Sequence, residues 1–96
     1  MLDIETQFLS GTLDELCQTI ENGQPVIALL WTGVLKHWQQ ENAIDYLHAV
    51  VVTGVDEENI FINDPVFSDH PITLLRKEFL DAWSYARQTM VLLKQI

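Results

Sequence analysis

The sequence predicts an α+β fold, a mainly antiparallel β-sheet with two short helices. Three observations predict it. Two stretches, residues 13–22 and 75–86, place apolar residues at spacings of three and four and read as short helices. A β-branched run, Leu47–Val55, faces an alternating run over residues 60–63 across a turn cluster, which is a β-hairpin signal. The elements run helix, strand, hairpin, helix, strand, so crossovers are few and antiparallel neighbours are favoured.

Residues 1–11 show no clear period, end at Gly11 and read as an N-terminal extension. Thr12 and Glu15 then form a capping box, each side chain within reach of the other's backbone N–H. Leu13, Leu16, Cys17 and Ile20 follow as one apolar stripe, and Asn22-Gly23 stops this helix, predicted over residues 13–22. Residues 25–31 are continuously apolar between Pro25 and Thr32-Gly33, which predicts a strand covered on both faces. A polar connection spans residues 32–46. The hairpin comes next, with Asn59 suited to a left-handed turn position, and Asp64-Pro65 ends its second strand. After a loop containing Asp69-His70-Pro71, residues 75–86 carry Leu75, Phe79, Ala82, Trp83 and Ala86 on one helical face. Residues 90–93 close the chain as a strand.

Ninety-six residues, 48% hydrophobic and 20% charged, describe one globular domain over residues 1–96. A net charge of −9 repels phosphate backbones and anionic lipid, so nucleic acid and membrane surfaces are excluded as partners. The apolar run over residues 26–35 is too short to cross a bilayer, and MLDIETQ lacks the basic start of a leader. The single Cys17 forms no internal disulfide, and a cytoplasmic location is expected.

His48 and Asp64 interrupt the two hairpin strands where polar side chains are costly. They lie sixteen residues apart, so they share a face only if the hairpin loop has an odd count or the ladder carries a bulge. Sharing it, the carboxylate fixes the imidazole tautomer and leaves the other nitrogen free as a base. The competing reading is a strand-end histidine beside an aspartate that caps the turn at Pro65, and spacing alone favours that one. Cys17 sits mid-stripe rather than at a helix N-terminus and reads as core. Ser10, Ser68 and Ser84 lack the glycine context of a nucleophile elbow. His37, His48, His70, Asp64 and Asp69 lack the spacing of a metal site, and no metal or cofactor is expected. Trp38, with Gln39 and Gln40, is the candidate for lining a ligand groove. Trp31 and Trp83 read as core, and Asp56, Glu57 and Glu58 as a solvated turn.

Three runs, GQPVIALLWTGVLKHW, LHAVVVTGVDEENIFINDP and KEFLDAWSYARQTMVLL, resemble the C-terminal half of the peptidase C39-like family of papain-like cysteine peptidases. The resemblance covers residues 12–96 and implies a papain-like half-barrel in which His48 is the general base and Asp64 its orienter. The family's nucleophilic cysteine, with an oxyanion-hole glutamine just before it, belongs to an N-terminal half, and Cys17 does not match it. The resemblance therefore implies a catalytic remnant without independent peptidase activity, acting as a homodimer or with a Cys-bearing partner half. Two alternatives stay open: a split thiol hydrolase with its nucleophile supplied in trans, and a peptide-binding module with a vestigial groove.

Overall fold

The computed structural model describes residues 4–39, 45–67 and 71–95. Six strands form one sheet: β1 (Ile4–Ser10), β2 (Val26–Trp31), β3 (Leu47–Val55), β4 (Asn59–Asn63), β5 (Ile72–Leu75) and β6 (Thr89–Gln95). Their order across the sheet is β1-β6-β2-β3-β4-β5, and every pairing is antiparallel. Helices α1 (Leu13–Glu21), α2 (Lys36–Gln39) and α3 (Arg76–Ser84) complete the α+β fold. Among the described residues no helix is long and apolar enough to cross a membrane.

The capping box starts α1 as expected. Thr12 Oγ1 accepts from the N–H of Glu15 at 3.1 Å, and Glu15 Oε1 accepts from the N–H of Thr12 at 3.0 Å. Leu16 and Cys17 of α1, and Phe79, Ala82 and Trp83 of α3, enter one core with Val26, Ala28 and Leu30 of β2. Val50, Val52, Ile60, Ile62 and Leu74 extend that core across β3, β4 and β5. Both long helices thus cover the same face of the sheet.

Four expectations need correction. Residues 4–10 are a strand rather than an extension without period; among the described residues β1 pairs only with β6, whose sequence lies at the other end of the chain. The connection after β2 holds a third, one-turn helix, α2. The last helix starts at Arg76, because residues 72–75 pair with β4 as the edge strand β5. Finally, among the described residues only one face of β2 is fully buried. Val26, Ala28 and Leu30 are buried, whereas Ile27, Leu29 and the stacked Trp31 are half-buried. On that second face Leu47, Ala49 and Thr53 are exposed and Val51 and Phe61 half-buried, which leaves an apolar sheet surface open.

The reversal from α3 into β6 is strained. Arg87 and Gln88 both have φ of 55°, a left-handed conformation that costs a residue with a Cβ about 1–2 kcal/mol. Hydrogen bonds hold it there: Gln88 N–H donates to Trp83 O, and Gln88 O accepts from Gly11 N–H. Arg87→Gly relieves one of the two at an exposed position. The variant is expected to be about 0.5–1 kcal/mol more stable by urea denaturation; an unchanged midpoint would show that the turn stores no strain.

Candidate functional site

A single β-bulge creates the site. Next to the turn, β3 and β4 pair Val55 with Ile60 and Gly54 with Phe61; beyond it they pair Val52 with Ile62 and Val51 with Asn63. Thr53 is the extra residue on β3. With four residues, 56–59, in the turn, an unbroken ladder would turn His48 and Asp64 to opposite faces. The bulge restores the phase, so His48, Val50 and Val52 point inward beside Ile60, Ile62 and Asp64. Arg76 anchors the turn from the start of α3, donating from Nε and Nη2 to Asp56 O at 2.9 and 2.6 Å.

Asp64 is 1% exposed and lies among four donors. Oδ1 accepts from His48 Nε2 at 2.6 Å and from the backbone N–H of Val66 at 3.0 Å. Oδ2 accepts from His37 Nε2 at 3.0 Å and from Trp38 Nε1 at 3.2 Å. The carboxylate therefore both holds a histidine and caps the turn at Pro65. Burial pushes its pKa up, but the hydrogen bonds from His37, His48 and Val66, with the adjacent His48 charge, more than offset this and hold it below the ordinary carboxylate value.

Since Asp64 takes the proton-bearing Nε2 of His48, the nitrogen left to accept a proton is Nδ1. An aromatic collar fixes the ring: Trp38 and Tyr46 meet it edge-on at centroid distances of 5.0 and 5.7 Å. Tyr46 is itself tied back to the end of β2, its N–H donating to Thr32 Oγ1 and its carbonyl accepting from Thr32 N–H.

His48 and Asp64 are thus brought together. Trp38, expected to contact ligand, is instead 6% exposed with its indole N–H committed to Asp64, so it supports the site from behind and offers a ligand almost no surface. Cys17 lies in the core under β2 and β3, and loss of water around it raises its pKa above the ordinary thiol value, with Arg76 opposing. His37, considered in the sequence only as a metal ligand, shares Asp64 with His48. Nothing in its spacing of twenty-seven residues from Asp64 signals this; α2 delivers it. Ser68, Asp69, His70 and Gln40 lie outside the described residues, as does the side chain of Gln39. Among the described residues, His37, His48 and Asp64 converge as hydrogen-bond partners, not in a geometry that would hold a metal ion.

Fold and site define a class first: an open antiparallel α+β sheet whose inward face presents a carboxylate-bound histidine. The chain belongs to the peptidase C39-like family, and the model of that family, described as "Peptidase_C39 like family", matches residues 2–91. The crystal structure of a candidate C39-like peptidase from Bacillus anthracis is similar to it, with a TM-score of 0.72 and 24% identity over 93% of this chain and 50% of that one. The present chain spans half the length of that protein, and at this identity the likeness concerns the fold. No curated protein matches the sequence.

Proposed function

We propose that this chain is the base-bearing half of a C39-like thiol peptidase, inactive alone, with its attacking thiol supplied from outside these 96 residues. One observation carries the reading: the 2.6 Å bond from His48 Nε2 to a buried carboxylate, which leaves Nδ1 as the nitrogen able to accept a proton. In that role Nδ1 takes the thiol proton as sulfur attacks the amide carbonyl carbon, and then passes it to the departing amine as the C–N bond breaks. Nε2–H goes on donating to Asp64 throughout, and the carboxylate stabilises the imidazolium. Cys17 is a poor candidate for the sulfur, because it is 7% exposed and its pKa is raised rather than lowered.

The open sheet face favours a docked partner. Ile27, Leu29, Val51 and Phe61 form an apolar surface with a water-facing side, which a second copy of the chain would cover; they lie on the face opposite His48, so a thiol for that base has to come from the inward side. Purified alone, the chain is expected to show no turnover of a fluorogenic peptide and to have a light-scattering mass above 11.0 kDa at micromolar concentration. Leu29→Lys, on the open face, is expected to return it to monomer. Turnover by the chain alone that disappears in Cys17→Ser would overturn the missing-thiol reading, and a clean monomer would remove the docking face.

A further inference from the structure

Both donors to Asp64 Oδ2 come from adjacent residues of α2. That helix is itself tied to α3, the N–H of Lys36 donating to Glu78 Oε2 at 3.0 Å. The His37 ring meets Phe67 edge-on at 5.1 Å, and its Nδ1 is buried without a partner among the described residues. Among the described residues, the one hydrogen bond of this ring is therefore the one to Asp64. A carboxylate turns readily about its last torsion, where the energy wells are broad and two-fold. Donors on both oxygens stop it turning; without His37, Oδ2 is held by Trp38 alone at the longer 3.2 Å, and the hold on the carboxylate weakens.

We propose that His37 is a positioning residue for the base: by donating Nε2–H to Oδ2 it locks the Asp64 carboxylate with Oδ1 on His48, and so keeps Nδ1 of His48 free. This rests on the reading of His48 as the base. His37 cannot take over that role, because its own free nitrogen is enclosed.

Nuclear magnetic resonance of the labelled 96-residue chain tests it through the ring N–H protons. The wild type should show Nε2–H signals from both histidines, slow to exchange with water, that of His48 further downfield because its bond is the shorter. His37→Phe keeps an aromatic ring against Phe67 and removes the donor. In it, exchange of the His48 N–H should quicken by about tenfold with the backbone spectrum preserved. His37→Gln, whose amide reaches a similar point, should restore the rate to within about threefold. An unchanged rate in His37→Phe, or equal acceleration in both variants, would overturn the proposal. If His37→Phe fails to fold, the wild type decides: a protected Nε2–H on His37 supports it, and a proton on Nδ1 overturns it. Absence of a protected Nε2–H on His48 in the wild type would instead defeat the base assignment itself.

Discussion

Asp64→Ala is expected to lose about 3–5 kcal/mol of folding free energy, the range for removing one partner of a buried charged network. Four donors lose their acceptor together: both imidazoles, the Trp38 indole and the Val66 amide. The His48 and Trp38 bonds are buried, so water does not replace the oxygens they lose without opening the turn at Pro65, whereas those of His37 and Val66 are only partly so. Against a typical total of about 5–15 kcal/mol, this is a large fraction of the fold's stability. Asp64→Asn should cost less, about 1–3 kcal/mol, because its carbonyl serves one imidazole while its NH2 opposes the other's donor. Urea midpoints of the two variants check the order, and equal losses would show that donor satisfaction is not what Asp64 provides.

The same carboxylate sets a pH dependence. Its pKa is lower folded than unfolded, so the unfolded state binds more protons as acid is added. The stability it contributes is full above the unfolded value, about 3.9, and is lost as pH falls through the lower folded value. Asp56 shares the direction, held down by the amides of Glu58 and Asn59, but it is exposed at the turn. Asp64→Ala should therefore flatten most of the loss of stability on the acid side.

Local chemistry was legible in the sequence, and long-range pairing was not. The capping box of Thr12 and Glu15, the core position of Cys17, the hairpin and the face of α3 all follow from neighbours within a few residues. β1 and β5 escaped because edge strands need only one partner, and theirs lie elsewhere in the chain; Leu75 fits the helical stripe of α3 while belonging to β5. The pair His48 and Asp64 was visible as two costly polar residues, but their common face depended on a bulge at Thr53 that no residue type announces. His37 and Trp38 reach Asp64 only because Thr32 and Leu35 turn the chain back after β2, a tertiary fact. The apolar run of β2 was read as a doubly covered strand. It supplies apolar residues to both faces, and among the described residues only one face is covered.

Trp83→Ala should lower stability as much as Asp64→Ala, by about 3–5 kcal/mol, for a different reason. Trp83 is fully buried, packs on Phe79 at 5.4 Å, and donates from Nε1 to Thr89 O at 2.9 Å. Its carbonyl accepts from Ala86 and Gln88, closing α3 and holding the left-handed reversal into β6. β6 in turn pairs with both β1 and β2, so one indole ties the helix layer to the middle of the sheet. Truncation leaves a cavity and an unpaired Thr89 carbonyl, but it removes no ionisable group. Stability should therefore fall by a similar amount at every pH, with the acid limb kept in full. Urea denaturation across pH 3–7 separates the two variants: parallel curves for Trp83→Ala and a flattened acid limb for Asp64→Ala. If Trp83→Ala also flattens that limb, the carboxylate network is not held by α2 and the hairpin alone, and the packing of α3 on the sheet must be part of what keeps Asp64 ionised.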